Sequence, residues 1–235
     1  MPFLSLNIEE FRYTQEGPTV LNNVELEVDT SELIGIMGPN GCGKSTFLHL
    51  CAGDLPIQKE SRHFKSDNRD IAFVYQDYRQ ALFPWKSAIS NIILPGIIKG
   101  LQKKEVKEKV AGLVSDFELD FDLNKLPFQL SGGEQQKISV LRALIESPKL
   151  LLMDEPCSAM DYASRLVFLK KLRARLKLNN TVAIMVSHSA EEAFLFCDRL
   201  ILFAMDGSIS EMISDCQSQE NYLENINRVH GHFLN

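Results

Sequence analysis

The sequence predicts an α/β protein: a mainly parallel sheet, an N-terminal antiparallel β subdomain and an inserted α-helical subdomain. Three observations carry this. The runs "LIGIM" (33–37), "LLLM" (150–153) and "VAIMV" (182–186) are apolar without alternation, as expected of strands covered on both faces of a parallel sheet. "LSLNIEEF" from Leu4 and "VELEV" from Val24 alternate apolar and polar residues, the period of half-buried strands. Between about Trp85 and Ser131 no parallel-strand run occurs.

In chain order, Gly17-Pro18 turns the chain between the two alternating strands, because these residues supply the backbone angles of tight turns. A helix from Lys44 to about Ala52 follows the first buried run. The segment "VKEKVAGLVSDF" places Val106, Val110, Leu113, Val114 and Phe117 at helical spacing, so the stretch from about 85 to 135 reads as a helical insertion. Further helices run from Gly133 to about Glu146 and from Ala163 to about Leu178, the latter with Leu166, Leu169, Leu172 and Leu176 on one face. The polar tail after Asp206-Gly207 reads as a short closing segment with no definite element. One domain spanning 1–235 accommodates all of this.

Composition limits the function. A formal charge of −6 and a pI near 5.4 argue against an electrostatic grip on nucleic acid or on an anionic membrane surface, since both need clustered Lys and Arg. The cysteines (Cys42, Cys51, Cys157, Cys197 and Cys216) are five, an odd number, and show no metal-ligand spacing. They suit a reducing cytoplasm. "MPFLSLNIEE" lacks the charged-then-apolar pattern of a secretory signal. The run "IILPGIIKG" from Ile92 falls far short of the roughly 20 residues that span a bilayer. If the protein works at a membrane, another chain crosses it.

Directly after "LIGIM" stands Gly38-Pro39-Asn40-Gly41-Cys42-Gly43-Lys44-Ser45-Thr46. This fits the P-loop pattern, and it has the required buried strand before it and helix after it. In such a loop backbone N–H groups and the helix N-terminus cradle phosphates. Lys44 would reach the β and γ phosphates and the Ser45 hydroxyl would ligate Mg²⁺. Cys42 reads as a small residue fitting a crowded turn rather than as a redox thiol.

"LLLMDEP" ends a buried strand on two carboxylates, Asp154 and Glu155. Charges there call for a cation or a polar site. A strand-end Asp beside a P-loop is where P-loop NTPases hold Mg²⁺. Glu155, beside it, is placed to polarise a water for attack on a γ-phosphate.

"LSGGEQQK" from Leu130, together with the P-loop, resembles the signature of ATP-binding-cassette (ABC) ATPases over most of the chain, from about Leu4 to about Met205. The resemblance implies a P-loop NTPase core. It gives Gln76 in "VYQD" the role of a glutamine sensing Mg²⁺ or the lytic water, makes "SAMD" ending at Asp161 the D-loop, and makes His188 in "VSHS" the switch histidine. Tyr13 stands where an aromatic stacks on adenine. Ser131, Gly132, Gly133 and Glu134 would act on ATP held by an opposite subunit, so two copies would sandwich two ATP molecules. Ser189 departs from the family's usual Asp after the histidine, which puts support of His188 in question.

"RQALFPWKSAISNIILP", with Phe83, Pro84 and Trp85, resembles importer ATPases of the nitrate, sulfonate and taurine type. That implies permease subunits in the membrane, a solute-binding protein and a place on the inner face of the plasma membrane. Pro56 to Arg69 departs from the importer pattern: it is abbreviated and lacks the Ser-Gly turn, which leaves the second half of the edge sheet open. A soluble ABC ATPase of translation or DNA repair is the alternative, opposed by the single cassette and the short helical insertion. A regulatory ATP-binding module without turnover is a third reading, opposed by the presence of Lys44, Asp154, Glu155 and His188.

Overall fold

The computed structural model describes residues 2–56, 61–218 and 222–233. The strands are β1 Leu4–Phe11, β2 Leu21–Val28, β3 Leu33–Met37, β4 Arg62–Phe64, β5 Ile71–Val74, β6 Leu150–Asp154, β7 Val182–Val186, β8 Arg199–Phe203 and β9 Ile209–Ile213. The helices are α1 Lys44–Ala52, α2 Tyr78–Ala81, α3 Ala88–Ile98, α4 Lys103–Asp116, α5 Gly132–Leu144, α6 Tyr162–Leu178, α7 Ala190–Phe196 and α8 Tyr222–Phe233.

Two sheets form. The larger has the order β5-β6-β7-β3-β8-β9, parallel except for the β8–β9 hairpin. Its central strands β3, β6 and β7 are buried at every position, which accounts for their non-alternating sequences. The alternation persists as a choice of core. Ile34, Ile36, Leu150, Leu152, Ile184 and Val186 pack on one side with α1 and the small sheet. Leu33, Met37, Leu151, Met153, Ala183 and Met185 pack on the other with α3 to α8. Successive residues of a strand point to opposite faces, so a strand between two cores must be apolar throughout.

The smaller sheet has the order β2-β1-β4. β1 and β2 are antiparallel, with Leu4 opposite Val28 and Phe11 opposite Leu21, and their buried residues fall on the face toward α1. The open question about 56–69 resolves in favour of a third strand: Arg62–Phe64 pairs antiparallel with β1, Leu4 opposite Phe64. Only three residues long, this strand carries too little periodicity to be read from sequence; positions 57–60 lie outside the described residues.

The helical insertion takes the form of α3, α4 and the start of α5. Val106, Val110, Leu113 and Phe117 are buried there as their spacing requires, and Val114 packs partly buried against the same core. The tail is more ordered than its polarity suggested: β9 pairs with β8, and Val229 of α8 is fully buried in the main core. Two further strands, β5 and β8, go beyond the sequence expectation. β5 is four residues at the sheet edge, of which Ile71, Ala72 and Phe73 are partly exposed and Val74 is buried. β8 opens on Arg199, whose charge is held by Glu32 at 2.8 Å. Among the described residues no helix is long and apolar enough to cross a membrane.

Candidate functional site

Four neighbouring parallel strands, β5, β6, β7 and β3, end on the same side of the sheet. Just past those ends stand Gln76, Asp154 with Glu155, His188, and the loop 38–43. In open α/β sheets ligands bind outside the carboxyl ends of the strands. Here a cleft of about 400 Å³ brings Tyr13, Lys44, Ser45, Gln76, Asp154, Glu155 and His188 together.

The loop's shape depends on missing side chains. Gly43 has a φ of 98°, a left-handed value unfavourable for other residues, and a Cβ there would lie 2.7 Å from Leu21 Cδ2 and 2.8 Å from the Val20 carbonyl. At Gly38 a Cβ would lie 2.8 Å from Cys42 Sγ. Cys42 is buried, and burial raises its thiol pKa, which fits the small packing residue expected from sequence. Lys44 Nζ donates to the carbonyl oxygens of Gly38 and Pro39, both at 2.8 Å, so its ammonium is tethered across the mouth of the loop.

Tyr13 shows both halves of an amphipathic ring. Its hydroxyl meets Thr46 Oγ1 at 2.9 Å, and its ring packs edge-on to Phe11 at 5.3 Å while remaining 60 % exposed. An exposed aromatic face fixed above the start of α1 is the geometry that stacking on a base requires.

The acidic pair divides in environment. Asp154 is buried, and burial raises its pKa, opposed by the hydrogen bond from Ser45 and the charge of Lys44. Glu155 has a left-handed backbone, φ 48°, which turns it out of the strand. Its Oε1 accepts from His188 Nε2 at 2.6 Å and from Gln76 Nε2 at 3.1 Å. Ser189 does not hold His188. Its hydroxyl accepts from Glu192 N and caps α7, and the histidine ring is anchored by Glu155 instead.

The residues fit Mg²⁺. A hard cation takes oxygen ligands in an octahedron, and the donors here are the Ser45 hydroxyl, the buried Asp154 carboxylate and the Gln76 amide. Among the described residues no group of three or more His, Cys, Asp or Glu side chains is arranged to hold a metal unaided. A cation at this place would complete its shell with phosphate oxygens and water.

The signature residues are not brought to this cleft, whose lining does not include them. Ser131 caps α5 in a reciprocal box: Glu134 N donates to Ser131 Oγ at 3.3 Å and Ser131 N to Glu134 Oε2 at 2.6 Å. A Cβ at Gly132 would meet the Tyr78 hydroxyl at 2.8 Å, so glycine there admits α2. Asp161 is exposed and caps α6, accepting from Ser164 N at 3.0 Å, and that hydrogen bonding lowers its pKa.

Sequence reasoning missed Gln136. It is fully buried and bonds to Glu155 O, Ser158 Oγ and Ala159 N. The signal was its place on the apolar face of α5, in line with Val140, Ala143 and Leu144, where an amide needs partners. It also missed the buried Glu192, which accepts from Ser187 Oγ at 2.9 Å and pairs with Arg165 at 2.5 Å. Arg165 in turn donates to the Met160 carbonyl beside Asp161.

A second cavity, a groove of about 690 Å³, separates the sheet edge from the helical insertion and includes Tyr75, Leu82, Phe83, Pro95, Ile98 and Arg142 in its walls. Arg142 lies 5.0 Å over the Phe83 ring and donates to the Ala81 carbonyl. Trp85 stands at Phe83, with ring centroids 5.5 Å apart, and is 71 % exposed.

Comparison with known proteins matches residues 21–158 to the ABC transporter family model. The spermidine/putrescine import ATP-binding protein PotA of Legionella pneumophila (strain Paris) is 36% identical over 200 residues, covering 81% of this chain and 54% of that protein. The sn-glycerol-3-phosphate import ATP-binding protein UgpC of Cereibacter sphaeroides is 32% identical over 217 residues, covering 89% and 61%. The chain thus spans little more than half the length of these curated relatives. Among solved structures, the ATP-binding cassette MJ0796, described as a dimeric post-hydrolysis state bound to ADP and Pi, superposes with a TM-score of 0.76 at 26% identity, covering 90% of this chain and 98% of that one.

Proposed function

Since the chain belongs to the ABC transporter family, on a family match covering more than half of its length, we propose that it is the ATP-hydrolysing subunit of a membrane transporter, of the importer kind. The observation that carries this is the convergence of Lys44, Gln76, Asp154, Glu155 and His188 on one cleft.

The adenine stacks on Tyr13 and the phosphates lie along the loop 38–43 and the first turn of α1. Lys44 exchanges the carbonyls of Gly38 and Pro39 for phosphate oxygens. Glu155 takes a proton from a water that attacks the γ-phosphorus in line with the departing oxygen of ADP, while His188 and Gln76 hold the carboxylate in place. Ser45 and Asp154 would hold Mg²⁺, with Gln76 sensing it, and the ion would supply charge neutralisation for the phosphate oxygens.

The turn Ser131–Glu134, which does not line its own chain's cleft, completes the site of a second, identical chain; the dimeric state described for the MJ0796 cassette supports this arrangement. Removing the γ-phosphate releases the contact between the two halves. The groove at Phe83, with Trp85 packed beside that ring, has walls of mixed apolar and polar character that include the Lys99–Glu146 ion pair, which suits a short amphipathic helix of a membrane-spanning permease. The complex then lies on the inner face of the plasma membrane and receives solute from a binding protein. Names of the curated relatives support import. The finer assignment, to nitrate, sulfonate or taurine, rests on Leu82-Phe83-Pro84-Trp85 alone.

Purifying the tagged chain from its native membranes in mild detergent, with mass spectrometry of what is retained, tests the reading. A multi-spanning membrane protein in stoichiometric amount is expected. Ribosomal or DNA-repair proteins without a membrane protein would overturn it in favour of a soluble ABC ATPase.

A further inference from the structure

Gln136 sits on α5 one turn beyond the Ser131 capping box and is 1% exposed. All of its side-chain hydrogen bonds run to the segment after β6. Its Nε2 donates to the Glu155 carbonyl at 3.2 Å and to Ser158 Oγ at 2.9 Å, and its Oε1 accepts from Ala159 N at 2.8 Å. An amide with both ends satisfied in a dry environment fixes the relative position of its partners, because pulling either end away from them leaves a buried polar group unpaired.

What it fixes is the residue set to act on water. Glu155 adopts a left-handed backbone, φ 48°, which a non-glycine residue keeps only when its surroundings over-determine it. Those surroundings are Val186 O, which accepts from Glu155 N at 3.2 Å, and Gln136, which holds the other side of the same residue. At Gly133 a Cβ would lie 3.4 Å from the Ala159 carbonyl oxygen and 3.6 Å from Met160 Cα, so the first turn of α5 runs directly beside the same segment.

We propose that Gln136 is a positioning residue that couples the two sites of the assembly: it transmits the seating of the Ser131–Glu134 turn on a second chain's nucleotide to Glu155 of its own chain. The inference rests on the two-chain reading of the proposed function. A rigid amide link means that a shift of the α5 N-terminus moves the Glu155 backbone with it. ATP bound in one site thereby sets the carboxylate of the other, and hydrolysis is cooperative in ATP.

The test uses the full chain with Gln136→Met, of similar length without hydrogen bonds, and Ser158→Ala, an exposed position that removes one bond without threatening the fold. ATP affinity from equilibrium binding, kcat, KM and the cooperativity of hydrolysis are measured for each against wild type. For Gln136→Met, kcat is expected to fall about tenfold or more, as small misplacements of a reacting group do, with ATP affinity within about twofold of wild type and cooperativity lost. Ser158→Ala is expected to move kcat and cooperativity in the same direction by less. A cooperative wild type whose two variants keep its rate and cooperativity, or lose ATP affinity in step with rate, overturns the role of Gln136 alone. A wild type that neither dimerises with ATP nor hydrolyses it cooperatively overturns the two-chain reading and the coupling with it.

Discussion

His188 Nε2 lies 2.6 Å from Glu155 Oε1, bound to the same carboxylate oxygen that Gln76 contacts at 3.1 Å. A carboxylate accepting two donors from two different strand ends is held in one rotamer, and its orientation is set before any water arrives. Replacing Glu155 with Gln removes the base and keeps the shape. ATP binding should persist, hydrolysis should stop, and ATP should accumulate dimer in light scattering. His188→Ala removes one of the two donors and should lower kcat by about 10²-fold, on the scale of general-base effects, with KM little changed. Full turnover in either variant would exclude Glu155 as the base that His188 orients.

Lys44 is the cation nearest the loop carbonyls and is itself buried. Lys44→Ala deletes a charge-assisted contact of about 1.5–3 kcal/mol, so ATP affinity should drop by about tenfold or more. Equilibrium binding of a fluorescent ATP analogue reads this directly. Unchanged affinity and turnover would defeat the phosphate-loop assignment.

Asp154 trades stability for function. Burial raises its pKa above the ordinary 3.8, so the native state holds its proton to higher pH than the unfolded chain does. Stability therefore falls as pH rises from 3.8 through the raised value, and the penalty is complete above it. At neutral pH, without nucleotide or Mg²⁺, Asp154→Asn should raise the unfolding midpoint, at about 2–4 °C for each 1 kcal/mol of penalty relieved in a chain this size. The gain should vanish below pH 3.8, and Mg²⁺-dependent hydrolysis should be lost. A lower midpoint at neutral pH would show that the ionised carboxylate stabilises the fold.

Asp198 works in the opposite sense. Burial would raise its pKa, but Lys177 at 2.6 Å, Arg173 at 2.7 Å and Leu33 N at 2.9 Å together hold it below 3.8. This carboxylate ties the starts of β3 and β8 to α6. Its contribution is present above pH 3.8 and is lost as pH falls through the depressed value. Asp198→Ala leaves Arg173 and Lys177 without their carboxylate and should cost about 2 kcal/mol at neutral pH, below the range for fully buried pairs because the side chain is 29% exposed. Urea unfolding at neutral pH and again well below 3.8 should show the variant converging on wild type in acid; equal midpoints at neutral pH would remove Asp198 from the account.

Much of this protein was legible in the sequence because its signals are local. Unbroken apolar runs report burial on both faces, alternation reports burial on one, and a loop such as 38–43 can close only where glycines admit the approach of Val20 and Leu21 to Gly43 and of Cys42 to Gly38. The P-loop and the acidic pair could be named this way, whereas Tyr13, Gln76 and His188 are named through the resemblance to the ABC family. What the sequence could not provide was adjacency. The order β5-β6-β7-β3 joins strands far apart along the chain, and only that order puts Gln76, Glu155 and His188 on one oxygen cluster. The three-residue β4 exists because β1 offers it an edge, and Gln136 is a clamp only because α5 packs against the segment after β6. Periodicity records which face of an element is buried. What lies against that face is settled by packing between distant parts of the chain, and there the tertiary structure alone decided.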